Sequence, residues 1–511
     1  MNLDLETQRL SFAPKISVFD TTLRDGEQTP GVRFSQGAKI AIAQKLDEIG
    51  VSIIEAGTAV NSKSEIKTIN EIVGLGLNAK IGSFARIVNM DIDAVVEANA
   101  DVVGLVFPGS DLHIAEKLKM SKERALKEII KSAQYAKERG LVVELMAEDG
   151  SRADFKFLCD VALSAKQIGI EAFCICDTVG VLTPEKTYSL YKCLKRELDQ
   201  DNKNDKSKFN MELSFHGHND TGLAVANTLA ALGAGADKFH ATINGLGERT
   251  GNCSLEQVAL NLELHYNIKT IKLDKVYEVS KLVAGYSNLY PAWNTPIIGR
   301  KVFTHESGIH VDGMFKNPWL YQLFEPKLVG RKHDIALGKL SGKKSIEFKL
   351  KELGLKVADD KKAELLAMVK EIGELGLEVS DADFIICVQK INECGKGEHV
   401  VIKEIHVSTG NVTTPNAYVR LKIGDAPDVV FGAAVGNGPV DAAMKAIDHA
   451  IGNQNAELVS YHVDAITGGS NASVRVNVRV RKGDKELTSS ALGTDIVLVS
   501  VEAYRKALNV L

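Results

Sequence analysis

The sequence predicts an α/β protein: a closed (β/α)8 barrel, followed by a helical region and a small α+β domain. Two observations between residue 16 and about residue 260 predict the barrel. Eight short runs rich in β-branched residues recur there, and a longer segment of helical period separates each run from the next. Eight parallel β/α units in about 250 residues are typical of a closed barrel. An open, doubly wound sheet is the alternative, because periodicity does not show closure.

The eight runs recur along this region, and each reads as one buried strand. They are ISVFD (16–20), VSIIEAG (51–57), AKIGSFA (79–85), DVVGLVF (101–107), LVVELMAE (141–148), EAFCICD (171–177), MELSFHG (211–217) and DKFHATIN (237–244). Amphipathic segments such as SQGAKIAIAQKLDEIG, which follows the first run, predict helices that connect the strands in parallel. Before the seventh run, ELDQDNKNDKSKFN (197–210) is polar without period and predicts a solvated loop.

The chain divides into three predicted domains: a barrel (1–270), helical linker subdomains (271–390) and a C-terminal domain (391–511). The last region holds a weak duplication, in which paired strands run twice into a helix. The first copy ends in GPVDAAMKAIDHAI and the second in TDIVLVSVEAYRKAL. A small α+β domain with two similar halves either binds an effector at its central seam or holds subunits together.

The composition is that of a globular protein with interspersed charges. Of 511 residues, 45% are apolar and 25% are charged, and the formal net charge is −4. The charges form no basic stripe of the kind that binds nucleic acid. The chain also has no run of about 18 apolar residues, the length needed to span a membrane. The first ten residues, MNLDLETQRL, lack the features of a secretory signal, and the seven cysteines form no CxxC pair. We therefore expect a cytoplasmic protein with reduced thiols.

His216 and His218 stand at the end of the seventh predicted strand. Residues i and i+2 of a strand point the same way, about 6.5 to 7 Å apart, so both imidazoles can reach one ion. Two ordinary polar residues at a strand end are the alternative. Asp25, after the first strand, and Asn252, in the glycine-rich stretch after the eighth, offer further oxygen ligands at the same barrel face. Such a set suits Zn, Mn or Mg with positions open for substrate.

Further polar residues follow other strands at this face. Glu148 and Asp149 end the fifth strand, and Asp177 and Thr178 end the sixth, which barrel stability does not require. Arg24 lies beside Asp25, and a guanidinium next to a cation stabilises negative oxygens. The substrate is therefore expected to carry a carboxylate, or to form an enolate or an alkoxide.

Four motifs occur together and in order: FDTTLRDGEQTPG (19–31), HGHND (216–220), NGLGERTGN (244–252) and HESGIHVDG (305–313). The chain closely resembles the acetyl-CoA-dependent 2-oxoacid condensing enzymes, which comprise the 2-isopropylmalate, citramalate and homocitrate synthases. The resemblance covers nearly the whole chain. It includes GNGPVDAA (436–443), which is similar to the leucine- or isoleucine-sensing domain of the first two.

The resemblance implies roles for individual residues. Asp25, His216, His218 and Asn252 would hold the divalent metal, which chelates the keto oxygen and the carboxylate of a 2-oxoacid. Arg24 would polarise the ketone and stabilise the alkoxide. Glu148 and His310 match the acid/base residues, with His310 as the base for the acetyl methyl proton and Asp312 as its helper.

The resemblance also implies contacts at the edges of the site and between subunits. Thr178 matches a contact to the substrate carboxylate, and Tyr321 matches a tyrosine of the region that covers the site. Family members are dimers in which His310 and its neighbours cover the partner's barrel, so a homodimer is expected here. The C-terminal domain would bind an amino-acid effector.

The preferred 2-oxoacid depends on the size of the pocket. Isopropylmalate synthases commonly have Gly-Phe, His and Ser where this chain has Thr58, Gly104 and Met146. Met146 would shrink the pocket in favour of pyruvate, and Phe84 with its neighbour resembles the citramalate synthases, whereas Gly104 would open space. We expect (R)-citramalate synthase, with 2-isopropylmalate synthase as the alternative and homocitrate synthase third. Two hypotheses from other functional classes are an aldolase-type lyase of the same superfamily and a non-catalytic regulatory protein.

Overall fold

A computed structural model describes residues 10–204, 210–374, 378–392, 400–424, 426, 428–452, 456–469 and 471–511. These residues form two compact units. The first takes the described residues up to Phe303 together with Glu325–Lys332, and the second takes Thr304–Phe324 and the described residues from His333 to Leu511.

The first unit contains a closed barrel of eight parallel strands in sequential order. The strands are β1 (Ser17–Asp20), β2 (Ile53–Glu55), β3 (Lys80–Arg86), β4 (Val102–Pro108), β5 (Val142–Glu148), β6 (Ala172–Asp177), β7 (Glu212–Gly217) and β8 (Lys238–Ala241). Each lies within or beside one of the eight predicted runs. Pairing of β1 with β8 closes the barrel, so the predicted closed barrel is confirmed and the open sheet is excluded.

Helices connect the strands and continue after the barrel. They are α1 (Gln36–Ile49), α2 (Lys63–Gly74), α3 (Asn89–Glu97), α4 (Asp111–His113), α5 (Lys122–Glu138), α6 (Phe155–Gln167), α7 (Pro184–Asn204), α8 (Ala224–Gly233), α9 (Leu255–Tyr266) and α10 (Val276–Ser287). The prediction of a loop from residue 197 was wrong up to Asn204, because α7 continues through that stretch with Leu198 buried on its inner face. Residues 205–209 lie outside the described part of the chain.

Alternate residues of each strand point into the barrel and fill it in layers. Phe19, Ile53 and Val102 form an apolar cluster. A second cluster contains Met146, Cys174 and Cys176. The carboxyl ends of all eight strands meet at one face of the barrel, which is where catalytic residues gather in barrels of this type.

The second unit begins with helices around two very short strands. These elements are β9 (Thr304–His305), α11 (Gly308–Lys316), β10 (Asp334–Ile335), α12 (Lys343–Glu352), α13 (Lys362–Glu374) and α14 (Asp381–Ile391). The C-terminal part follows with β11 (Val400–Ser408), β12 (Asn416–Ile423), β13 (Val429–Val435), α15 (Pro439–Ile451), β14 (Ala456–Ala465), β15 (Val474–Lys482), β16 (Lys485–Gly493) and α16 (Ile496–Leu508).

The predicted duplication is present, with one more strand in each half than the sequence indicated. Two antiparallel sheets of three strands, β11–β13 and β14–β16, are each followed by one helix. The additional strands, β11 and β14, place few residues in the core, so their apolar pattern is weak. Among the described residues, no helix combines the length and the apolar character needed to cross a bilayer.

Candidate active site

Three side chains converge at the carboxyl end of the barrel: Asp25, His216 and His218. The Nε2 atoms of the two histidines are 3.3 Å apart. Oδ2 of Asp25 lies 3.3 Å from Nε2 of His216 and 4.0 Å from Nε2 of His218. Ligands held about 2.1 Å from one ion stand roughly 3 to 3.5 Å from each other, so the three atoms have nearly the spacing of a metal site.

The local fold explains why these residues meet. His216 belongs to β7, and His218 follows two residues later, where it forms an antiparallel bridge with Asn252 from the glycine-rich loop after β8. Asn252 is 3% exposed, and its side-chain nitrogen donates to the carbonyl of Leu246. Its Oδ1 atom is buried and has no hydrogen-bond partner among the described residues.

The charge state of this group suits a divalent cation. Burial lowers the pKa of His216 to about 3 and also lowers the pKa of His218, so both imidazoles are neutral. Burial alone would raise the pKa of Asp25, but the guanidinium of Arg24 holds it well below its usual range. Oδ1 of Asp25 is buried and has no partner among the described residues. Neutral imidazoles, an anionic carboxylate and an unpartnered amide oxygen are the donors that a divalent metal requires.

Glu55, at the end of β2, is a site residue that the sequence reading missed. Its Oε2 accepts hydrogen bonds from Nε of Arg24 at 2.6 Å and from the hydroxyl of Thr21 at 2.5 Å. Arg24 also donates to Asp25 at 3.0 Å, and its guanidinium lies 4.8 Å from the centre of the Phe84 ring. One acidic residue inside the apolar run VSIIEAG was the available signal, since a buried charge needs a partner.

The carboxylate of Glu148 forms an ion pair with the side chain of Lys117. Nζ of Lys117 lies 2.7 Å from each carboxylate oxygen, and Nδ1 of His113 lies 3.5 Å from Oε2. Lys117 belongs to a π-helical turn, Ile114–Leu118, which directly follows α4. Such turns occur often at functional sites. The sequence reading did not identify either contact.

The hydroxyl oxygen of Thr178 accepts a hydrogen bond from the backbone. The backbone N–H of Asp149, a residue with a left-handed φ of 57°, donates to Oγ1 of Thr178 at 2.8 Å. Because the hydroxyl oxygen already accepts a bond there, its proton can be donated to an anion. This geometry suits a carboxylate contact.

Met146 occupies the space beside Gly104. A Cβ atom built on Gly104 would lie 2.9 Å from Sδ of Met146 and 3.1 Å from Oε1 of Glu55. The expectation that Gly104 opens space was therefore wrong, because the neighbouring side chains fill it. Met146 is 2% exposed and packs with Cys176 and Val106.

The remaining predicted residues belong to the second unit. His310 and Asp312 are on α11, and Tyr321 follows it. The rings of His310 and Tyr321 are 4.5 Å apart between centres, and both residues are exposed. Asp312 forms an ion pair with Lys316 at 2.6 Å.

A second group, formed by Glu144, Cys174 and His240, has metal-ligand spacing inside the barrel. The oxygens of Glu144 are already engaged, since Lys238 lies 3.1 Å from one and His240 lies 2.8 Å from the other. Burial alone would raise the pKa of Glu144, but Lys238 and His240 hold it below its usual range. We assign this group to an internal ion-pair network.

Comparison with known proteins places three segments of the chain. Residues 15–283 match the HMGL-like family, residues 297–377 match the homocitrate synthase post-HMGL domain-like family, and residues 378–511 match the LeuA allosteric (dimerisation) domain.

Two proteins of Methanocaldococcus jannaschii are similar over nearly the whole chain. Its (R)-citramalate synthase is 42% identical over 498 residues, which cover 97% of this chain and 99% of that protein. Its 2-isopropylmalate synthase is 42% identical over 509 residues, which cover 98% of this chain and 96% of that protein. Overall identity therefore does not separate the two activities.

Proposed function

The chain belongs to the family of (R)-citramalate synthases and 2-isopropylmalate synthases, and from this premise we propose that it is an (R)-citramalate synthase. It would join the methyl carbon of acetyl-CoA to the keto carbon of pyruvate. Hydrolysis of the CoA thioester would then make the reaction irreversible. The converging atoms of Asp25, His216 and His218 carry the metal-dependent part of this proposal.

We propose that Asp25, His216, His218 and Asn252 hold a divalent cation, either Zn, Mn or Mg. When bound, this cation supplies Lewis-acid polarisation of the ketone. The neutral imidazoles and the unpartnered oxygens of Asp25 and Asn252 support the assignment.

The substrate oxygens would be bound by two donors. Arg24 is fixed by Glu55, and it would stabilise the negative charge that develops on the keto oxygen when the carbon–carbon bond forms. The hydroxyl proton of Thr178 would be donated to the carboxylate of the 2-oxoacid. Both side chains are held by protein contacts, so little reorganisation accompanies binding.

Proton transfer is assigned to His310 and Glu148. In the proposed homodimer, His310 and its neighbours would cover the partner's barrel, and His310 would remove a proton from the acetyl methyl group, with Asp312 as its helper and Tyr321 in the region that covers the site. The new carbon–carbon bond forms from the methyl carbon, and the electron pair of the keto group moves to its oxygen. Glu148, as a carboxylate held by Lys117, would accept the proton of the water that releases CoA.

Met146 supports pyruvate as the substrate. Its sulfur fills the room beside Gly104, so a pocket wall formed by Met146 would lie close to the keto acid and would favour a methyl over an isopropyl group. The alternative is 2-isopropylmalate synthase with 2-oxoisovalerate, which the 42% identity to that enzyme supports equally. Phe84, beside Arg24, would complete the same wall.

We propose that the chain forms three domains, 1–270, 271–390 and 391–511, and that the protein works in the cytoplasm.

The match of residues 378–511 to the LeuA allosteric (dimerisation) domain supports a homodimer with an amino-acid effector at this domain. Sedimentation of the full chain, with and without isoleucine or leucine, tests the homodimer and the effector. A monomer at micromolar concentration would contradict the homodimer.

Release of CoA thiol, followed with purified protein, acetyl-CoA and Mn²⁺, tests the activity. We expect the highest kcat/KM with pyruvate, a lower value with 2-oxoisovalerate and no release with 2-oxoglutarate. The Asp25→Asn variant is the matched control and should release no CoA. The synthase proposal is wrong if none of the oxoacids produces free thiol, and a preference for 2-oxoisovalerate would select the alternative.

A further inference from the structure

Arg249 connects the ends of three barrel strands. It lies in the glycine-rich loop after β8, and its Nε and Nη2 atoms donate to the two oxygens of Asp220 at 2.8 and 2.9 Å. Asp220 follows β7, two residues after His218. Nη2 also donates to the backbone carbonyl of Thr178, just after β6, at 2.7 Å. One side chain therefore holds three loops of the candidate site.

The backbone of Arg249 is held in an uncommon conformation. Its φ is 56°, in the left-handed region that a residue with a long side chain seldom adopts. Such outliers persist only where the surroundings require them, and they cluster at functional sites. Here the conformation directs the guanidinium back across the loop towards Asp220 and Thr178.

The loop that carries Arg249 is closed by backbone hydrogen bonds. The N–H of Asn252 donates to Gly245 at 3.0 Å, and the carbonyl of Gly251 accepts from the N–H of Asn219 at 2.9 Å. A Cβ atom on Gly251 would lie 2.0 Å from the carbonyl oxygen of Gly245, so only glycine fits this close approach. The loop that carries Asn252 is therefore held at two places, by these backbone hydrogen bonds and by the contacts of Arg249 with Asp220 and Thr178.

We propose that Arg249 is a positioning residue that fixes Asn252 and Thr178 relative to His218, and that it is not a ligand for the phosphates of CoA. Its charge supports this assignment. Two of its nitrogens are engaged by Asp220 and Thr178, and Nη1 faces Glu248 at 3.6 Å. The inference depends on the proposed function only for its kinetic readout.

The direction of the effect on metal affinity distinguishes positioning from simple electrostatics. Arg249 is a positive charge that acts on His218, so its removal would strengthen metal binding if Coulomb repulsion were its main influence. A positioning role predicts the opposite, because loss of a residue that orients metal ligands weakens affinity about 10- to 100-fold.

The experiment uses the metal-free full chain and titrates Mn²⁺ alone by calorimetry into wild type, Arg249→Gln and Arg249→Lys. We expect both variants to bind Mn²⁺ at least about tenfold more weakly, since lysine keeps the charge but not the two-pronged geometry. The KM for pyruvate should rise, and the KM for acetyl-CoA should stay unchanged. Arg481→Gln is the control, because Arg481 is also a partly exposed arginine whose Nε and Nη2 donate to a carboxylate, that of Glu486 in the second unit.

Three outcomes overturn the inference: unchanged or tighter Mn²⁺ binding in Arg249→Gln, wild-type affinity restored in Arg249→Lys, or a raised KM for acetyl-CoA with unchanged Mn²⁺ affinity. If Arg249→Gln does not fold, as judged by its thermal midpoint, Arg249→Lys decides the question alone. Mn²⁺ titration needs no turnover, so failure of the proposed synthase activity in wild type would leave this test intact.

Discussion

Nε of Arg24 donates to the buried carboxylate of Glu55 across 2.6 Å. Arg24 lies in the turn after β1, and Glu55 is the last residue of the neighbouring strand β2. The hydroxyl of Thr21 donates to the same oxygen. Glu55 is completely buried, and its charge is balanced by Arg24. This contact fixes the guanidinium before any substrate binds, which is the condition for electrostatic stabilisation without reorganisation.

We expect Glu55→Gln to lower kcat/KM for CoA release about ten- to a hundredfold, because hydrogen bonds to charged groups contribute ~1.5–3 kcal/mol. The amide keeps the size of the side chain but offers Arg24 a neutral acceptor. Affinity for Mn²⁺, measured by calorimetry, should change much less than kcat/KM. Asp91→Asn is the control, since Asp91 is a buried barrel carboxylate that pairs with Arg86 outside the candidate site. Equal losses in both variants would mean that Glu55 acts only on stability.

Shortening Met146 should change which oxoacid is preferred. Met146→Ala removes the side chain that fills the space beside Gly104, and each methylene of fit in an apolar pocket is worth ~1–3 kcal/mol. The ratio of kcat/KM for 2-oxoisovalerate over pyruvate should therefore rise at least about tenfold. Met444→Ala, a buried methionine in the second unit, should leave the ratio unchanged. A ratio that stays constant in Met146→Ala would remove Met146 from the specificity pocket.

Much of the fold and part of the site could be predicted because the signals were local. Each β/α unit is a period in the sequence, and the ends of parallel strands must meet at one face, which brings Asp25 to His216. The contacts of Glu55 and Arg249 could not be read in this way. Arg24 and Glu55 are 31 residues apart, and Arg249 and Thr178 are 71 apart. No period or spacing marks such pairs, which meet because β1 lies beside β2 and because the loop after β8 reaches past β7 to the end of β6.

The converging atoms of Asp25, His216 and His218 predict a strong dependence on a divalent metal. We expect His218→Gln to weaken Mn²⁺ binding by more than about 100-fold, since even loss of a residue that orients a ligand costs 10- to 100-fold. Chelation of wild type should abolish CoA release, and added Mn²⁺ should restore it. His462→Gln, at an exposed histidine of the second unit, is the control. Unaltered Mn²⁺ affinity in His218→Gln would place the ion elsewhere.

Glu256, near the start of α9, links stability to pH. Its side chain is completely buried, and its carboxylate accepts a hydrogen bond from the N–H of Asn244 at 3.3 Å. Burial raises its pKa to about 7, whereas an unfolded chain has a Glu pKa of about 4.3. The folded state therefore holds a proton that the unfolded state releases between about pH 4 and pH 7. The stability linked to this proton is complete below about pH 4 and is lost as the pH rises through 7.

Glu256→Gln should consequently gain stability relative to wild type as the pH increases, because glutamine has no proton to lose. The shift in pKa corresponds to a difference of up to ~3 kcal/mol between pH 4 and pH 8. Urea unfolding of both proteins across this range measures it. Glu138→Gln, at an exposed glutamate of α5, should follow wild type at every pH. A difference in the free energy of unfolding between Glu256→Gln and wild type that is the same at pH 4 and pH 8 would contradict this prediction. The buried carboxyl would then be ionised throughout, and another group of the barrel unit would have to neutralise it.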